Sequence, residues 1–174
     1  MMQGLELAAI AAVLAIVASR GLAEPAPPRT AERISVERAA DIIDFWNQAE
    51  HAGGFDVRDV LAIVAIESAF DPAAHRDEPH IGDASRGLMQ VLLSTARDRG
   101  FVGDPAWLYD PVVSVQIGLR QLAWSRRFLA DRLGRSPTEA EWIGSYNAGV
   151  GNVLKGFIPL TYVATWERAR ERYR

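Results

Sequence analysis

Beyond residue 30 the apolar positions of this chain recur at intervals of three and four rather than two, a pattern that predicts helices nearly throughout. Ser35 is placed to cap a helix whose stripe is Ala39, Ile42, Ile43 and Trp46, ending at Gly53-Gly54. A second helix is predicted from Val57 to Ala69, stopped by Asp71-Pro72, and a third from Gly87 to about Arg99. Asp110-Pro111 supplies a cap followed by proline at the first helical position and opens a long helix that ends at Gly134. Ser136-Pro137-Thr138-Glu139 reads as a capping box for a helix running to Asn147, broken by Ala148-Gly149-Val150-Gly151. A last helix starts near Leu160. Strand-like alternation is scarce and no internal repeat is evident, so the expected fold is all-α, a compact helical domain.

Ahead of these elements the pattern changes. Ala8 to Ala18 is an uninterrupted run of 11 apolar residues. A membrane-crossing helix needs about 20, whereas the apolar stretch of a signal peptide is of this shorter length. Gly21 and Ala23 offer small residues for cleavage before Glu24. Glu6 stands where a signal peptide carries a cation and Arg20 follows the run, so an uncleaved membrane anchor is the competing reading. The expected organisation is a signal peptide or N-terminal anchor over 1–23, a linker over 24–34 beginning Glu24-Pro25-Ala26-Pro27-Pro28, and a folded domain over 35–174. The expected location is periplasmic or exported.

Composition narrows the chemistry. The 174 residues include no Cys, which excludes disulfides, thiolate zinc sites and a cysteine nucleophile. Nineteen Lys+Arg against 22 Asp+Glu give a formal charge of -3. That balance offers no general attraction to phosphate backbones, and no nucleic-acid partner is expected.

One acid stands out. In Val-Leu-Ala-Ile-Val-Ala-Ile-Glu-Ser-Ala-Phe, Glu67 follows Val64 by three residues, Ile63 by four and Val60 by seven, so on a helix it points with the apolar stripe. A carboxyl held against apolar side chains takes up a proton or finds a partner, and a raised pKa is what a general acid requires. A structural Glu satisfied by an Arg or a backbone amide is the competing reading. Gly87-Leu88-Met89-Gln90 and Tyr146-Asn147-Ala148-Gly149 add neutral donors, acceptors and apolar walls, which suit a carbohydrate. Each of these segments alone also fits a plain structural role, with Met89 as core filler, Asn147 as a helix end and Tyr146 as an interior ring.

With these residues in view, the chain resembles the soluble lytic transglycosylase (SLT domain) family, which has a goose-type lysozyme-like fold. The matching stretches are Glu67-Ser68-Ala69-Phe70-Asp71-Pro72-Ala73-Ala74, Gly87-Leu88-Met89-Gln90 with Ser94-Thr95-Ala96, Ser145-Tyr146-Asn147-Ala148-Gly149, and Pro159-Leu160-Thr161-Tyr162-Val163. The resemblance covers roughly Val57 to Trp166. It implies cleavage of the β-1,4 bond between N-acetylmuramic acid and N-acetylglucosamine in peptidoglycan, with a 1,6-anhydromuramyl end and no consumption of water. It also implies Glu67 as the catalytic acid and base, Met89 and Gln90 lining the sugar cleft, Tyr146 and Asn147 close to Glu67, and Tyr162 in the closing element. No cofactor and no metal are implied, and the expected partner of the monomer is a peptidoglycan glycan strand. Two departures from the family's pattern are visible. Arg76 stands nine positions after Glu67, where a serine is common, and the loop 76–86 is longer by about five residues.

Other readings draw on the same segments. Asp77, Glu78 and Asp83 are candidates for the second carboxylate of a water-using muramidase of the goose-type lysozyme kind. His75, Asp77, His80 and Asp83 can be drawn as a metal site, but they lie in an expected loop and match no helical zinc spacing. A non-catalytic glycan-binding factor of an envelope-spanning secretion or conjugation machine would keep the cleft and dispense with Glu67. Trp46, Trp107, Trp124, Trp142 and Trp166 are candidates for a sugar-stacking ring. The mixed charges from Trp166 to Arg174 fit a solvated helix face.

Overall fold

The computed structural model describes residues 32–52 and 54–173. The apolar run, the cleavage region, most of the 24–34 linker and Gly53 lie outside the described residues.

Helix α1 spans Val36–His51. The Ser35 hydroxyl accepts from the Arg38 N–H at its start, and Ala52 in the left-handed conformation closes it just before the predicted Gly-Gly stop. Its buried stripe is the expected Ala39, Ile42, Ile43 and Trp46, with Asn47 added. Asn47 earns its burial by exchanging two hydrogen bonds with the backbone of Phe55, which fixes the turn into the next helix. That helix, α2 (Val57–Ser68), starts on Asp56 and is buried at every position from Asp59 to Val64. A helix apolar on all sides belongs in the middle of a domain, and α2 packs against α1 and the final helix.

The chain then departs from an all-helical pattern. Three short strands, β1 (His75–Glu78), β2 (Asp83–Arg86) and β3 (Val91–Leu92), form an antiparallel sheet in chain order. The predicted helix from Gly87 is reduced to α3, Leu93–Asp98. The reason is in the backbone of the turn between β2 and β3. Gly87 has φ +72°, and a Cβ there would meet the Leu108 carbonyl at 2.0 Å, while Gln90 also lies at positive φ. Asp83 supplies the cap that α3 lacks locally, its carboxylate accepting from the Leu93 and Ser94 N–H groups at 3.2 and 2.9 Å.

After a 3-10 turn over Pro105–Tyr109, α4 (Pro111–Leu133) runs the length of the domain, from the Asp110 cap to Gly134 at φ +66°. Helix α5 spans Glu139–Ala148. Its capping box is real but begins at Thr138, two residues later than read from sequence, with Glu141 rather than Glu139 closing it. Glu141 also pairs with Arg135, which gives its carboxylate a second partner at that register. The predicted break at 148–151 holds a five-residue helix, α6 (Val150–Leu154), before α7 (Leu160–Arg170).

The core is one cluster centred on α2, α4 and the side chain of Trp166. Met89 is fully buried in it, seated on Gly118 of α4 so closely that a Cβ there would lie 2.1 Å from its sulfur. Three of the five tryptophans are core members whose indole N–H groups reach backbone carbonyls: Trp46 to Val112, Trp142 to Leu122, and Trp166 to Asp59.

Candidate functional site

Glu67 lies in the last turn of α2, where its helix emerges from the core. Burial pushes its carboxyl above the ordinary range, and the Tyr162 hydrogen bond and the Arg76 charge pull the other way without cancelling that effect. The negative end of the helix acts in the same direction as burial, since an anion there is disfavoured. Immediately after it the backbone reverses through Ala69 and Phe70, both at positive φ (51° and 63°) without being glycine. Such conformations cost about 1–3 kcal/mol each and persist only where neighbours hold them. Here Asp71 N–H donates to Ser68 O, the Phe70 carbonyl accepts from Ile34 N–H, and the Phe70 ring meets Tyr173 edge to face.

The partner of Glu67 comes from the far end of the chain. Tyr162 donates its hydroxyl to Glu67 Oε1 at 2.6 Å. Tyr162, Trp166 and Arg170 follow one another at intervals of four and so share one face of α7. Trp166 donates to the Asp59 carbonyl at 2.9 Å and Arg170 Nε sits 2.5 Å from Asp59 Oδ1. Eight residues separate Tyr162 from Arg170 and eight separate Glu67 from Asp59, so the antiparallel packing of α7 on α2 sets the Tyr162–Glu67 contact. Burial, with the adjacent Glu67 charge second, holds the Tyr162 phenol far above its usual pKa, and it remains a donor.

Two grooves meet at this pair. One, about 660 Å³, is lined by Glu67, Ser68, Asp71, His75, Arg76 and Gln90 among others. The second, about 620 Å³, is lined by Asn147, Phe157, Leu160 and Tyr162 among others, and Ile66 belongs to both. The hydrogen-bonded Glu67–Tyr162 pair thus stands on the saddle between them.

The remaining sequence-predicted residues divide. Gln90 lines the first groove, but its amide nitrogen is committed to the carbonyls of Ala74 and Gly87, so it braces the turn beneath the groove. Asn147 is exposed on the second groove. Tyr146 is half-buried and donates to the Met89 carbonyl at 2.8 Å, and its neighbour Glu67 adds to the effect of burial in raising its pKa. Met89 is a correction: its side chain lines neither groove, and what it offers toward the site is its carbonyl. The core claims the side chain because Gly118 leaves a hollow of the right size opposite it.

None of the five tryptophans lines either groove. Of the four candidate metal ligands, His75 and Asp77 bond each other, and His80 and Asp83 turn to other partners. His75 bonds Asp77 through Nε2 and Tyr109 through Nδ1, His80 lies 3.7 Å from Glu78, and Asp83 caps α3. Among the described residues no group of three or more His, Asp or Glu side chains converges. Asp77, Glu78 and Asp83, considered for a second carboxylate, do not line the groove that holds Glu67. Asp71 does line it, and its Oδ1 accepts from Ala73 N–H. Sequence reading missed the exposed pair Phe157 and Leu160 on the second groove, 59% and 69% exposed, and Ile66 between the two. An isolated apolar residue in a Gly- and Pro-containing stretch gives no signal of that kind until the fold sets it along a groove.

Comparison with known proteins bears on the family and the fold. Over about 130 residues the chain is 33% identical to membrane-bound lytic murein transglycosylase C of Shigella sonnei, and 33% identical to the protein of that name from Photorhabdus laumondii subsp. laumondii. Each match covers 70% of this chain but about a third of the relative (34% and 35%). The structure of lytic transglycosylase Slt from Pseudomonas aeruginosa superposes with a TM-score of 0.53 at 21% identity, over 75% of this chain and 21% of that one, which establishes a shared fold. The description "Transglycosylase SLT domain" matches residues 44–158, a span that holds Glu67, the lining of its groove and most of the core, and the chain belongs to that family.

Proposed function

We propose that this protein is a peptidoglycan lytic transglycosylase with Glu67 as its only catalytic carboxyl. The observation that carries the reading is a half-buried Glu67 between two grooves, its carboxyl pushed above the ordinary range by burial, with the backbone-bonded Asp71 as the one other carboxyl among the described residues lining its groove. A glycan strand laid through both grooves brings a glycosidic oxygen to Glu67. The acid donates its proton as the C1–O4 bond breaks, and positive charge develops at C1 of the muramyl residue. Glu67, now a carboxylate and steadied by the Tyr162 hydroxyl, accepts the proton of the C6 hydroxyl as O6 bonds to C1. The nucleophile is tethered within the same sugar, so one carboxyl suffices and no water enters.

Tyr162 tunes Glu67, Tyr146 and Gln90 hold the turn at the groove floor, and Asn147 contacts sugar in the second groove. The one other carboxyl among the described residues lining the Glu67 groove, Asp71, has its Oδ1 committed to Ala73 N–H, which supports ring closure over the muramidase reading. Among the described residues no helix is long and apolar enough to cross a membrane. Export through the N-terminal segment places the domain with its substrate. Monomeric action and service to an envelope-spanning secretion or conjugation machine belong to the same proposal.

The test is digestion of purified peptidoglycan with the wild-type protein and Glu67→Gln, reading muramyl ends by mass. Anhydro ends, one water lighter than reducing ends, are expected from the wild type and none from the variant. Reducing ends as the main product would replace ring closure with hydrolysis, and undiminished lysis by the variant would remove Glu67 from the reaction.

A further inference from the structure

The hairpin beside the acid carries a second piece of chemistry. In β1 the side chains alternate between two faces, and each face pairs with itself: His75 with Asp77, and Arg76 with Glu78. The Arg76–Glu78 pair is short, Nε to Oε1 at 2.6 Å, and the Glu78 side chain is mostly buried while that of Arg76 is two-thirds exposed. Arg76 lines the same groove as Glu67 and is the only Arg or Lys that does. A guanidinium is a planar fork, and with Nε committed to Glu78 its two Nη groups form the remaining edge. Among the described residues those Nη groups have no hydrogen-bond partner. A fork held at one edge by a buried carboxylate and open at the other, in a groove lined otherwise by neutral and acidic groups, is shaped for an anion with two coplanar oxygens.

The glycan reading above supplies such an anion, and this inference rests on it. The sugar rings of peptidoglycan are uncharged. Its negative charge is carboxylate, on the lactyl arm of the muramyl residue when the peptide has been removed, or on the stem peptide when it has not. Both extend from the very residue whose C1 reacts at Glu67. We propose that Arg76, oriented by Glu78, binds a carboxylate of the muramyl substituent and so selects which muramyl residue is placed at Glu67. Glu78 is then a positioning residue acting through Arg76. The exposed His80 lies 3.7 Å from the other oxygen of the Glu78 carboxylate.

The experiment compares KM for the wild type, Arg76→Gln, Arg76→Lys and Glu78→Gln on four strands: peptide-bearing, the same with its carboxyls amidated, peptide-free with the lactyl carboxylate, and peptide-free with that group amidated. Expected is a roughly tenfold rise in KM for Arg76→Gln on whichever carboxylate-bearing strand is the true ligand, in line with loss of one charge-assisted contact. On that strand the variant should reach the KM that the wild type shows after amidation. Arg76→Lys, keeping charge without the fork, should fall between, and Glu78→Gln should raise KM with a smaller effect on kcat. The peptide-bearing and lactyl arms tell the two sources apart. Equal ratios of KM between carboxylate and amide strands for the wild type and Arg76→Gln, with both proteins folded by circular dichroism, would overturn the inference while Glu67-dependent cleavage upholds the glycan reading. Absence of Glu67-dependent cleavage on all four strands would overturn both.

Discussion

Tyr162 reaches Glu67 across 95 residues of sequence, and its hydroxyl donates to one carboxylate oxygen at 2.6 Å. That bond is the larger of the two influences that oppose burial in setting how strongly the acid holds its proton. Burial raises the Glu67 pKa and the phenol opposes the rise by favouring the ionised form. Replacing Tyr162 with Phe should therefore push the pKa higher still. The proton-donating form then persists to higher pH, so the alkaline limb of the rate profile should move upward. Turnover at its optimum should fall about tenfold or more, since the carboxylate formed in the first step loses a charge-assisted bond. A pH–rate profile of kcat/KM checks both, and an unmoved alkaline limb would detach Tyr162 from the acid.

The same raised pKa carries a stability consequence. A carboxyl whose folded pKa lies above its unfolded value stabilises the fold fully below the unfolded pKa, near 4.5, and that contribution disappears as pH rises through the folded value. Glu67→Gln removes the penalised charge. It should therefore raise the melting temperature at pH 7 to 8 by a few degrees, at roughly 2–4 °C per kcal/mol for a domain of this size. The gap should close below pH 4.5. Thermal unfolding across pH 4 to 8 measures it.

Asp83 behaves in the opposite sense. Its burial pushes the pKa up, but hydrogen bonds from the Ser94 and Ala84 N–H groups, the Ser94 hydroxyl and the Leu93 N–H outweigh it and hold the pKa at about 2. This contribution is present above the unfolded value near 3.8 and is lost as pH falls through about 2. Asp83→Ala should cost about 1–2 kcal/mol at pH 7, the usual range for a lost helix cap. The difference from the wild type should shrink between pH 4 and 2 in denaturant titrations.

Met89 and Gly118 form a lock. Gly118→Ala drives a methyl group into the Met89 sulfur and should cost about 1–3 kcal/mol by overpacking, while Met89→Ala should cost about 2–5 kcal/mol through the cavity it leaves. Together they should cost less than their sum, because each relieves the defect of the other. Additive losses in a double-mutant cycle would show that the two do not share one space.

Much of this arrangement can be read before folding. Ser35, Asp110-Pro111 and Gly134 mark helix ends that the structure uses, and the position of Glu67 among Val60, Ile63 and Val64 marks it as an acid out of place. The Tyr162–Trp166–Arg170 face is also regular, though only the packing of α7 on α2 shows what it meets. The sheet was illegible for a physical reason: His75–Glu78 is a charged segment held by ladder bonds and by side-chain pairs two residues apart, and Asp83–Arg86 buries adjacent Ala84 and Ser85, so neither strand shows an alternating apolar face. The Met89 segment misled because its chemistry resides in a carbonyl, which every residue possesses.

The reversal at Ala69 and Phe70 has an outcome for how such a domain can vary. Glu67 is anchored upstream by a core helix, and downstream the chain from Ser68 to Ala74 is pinned by its own short-range bonds before the hairpin begins. Residues added to or removed from the tip near Pro79–Gly82 are thus insulated from the acid. A lineage can remodel the rim of this groove, and under the proposed function the glycan it accepts, while Glu67 stays where it is.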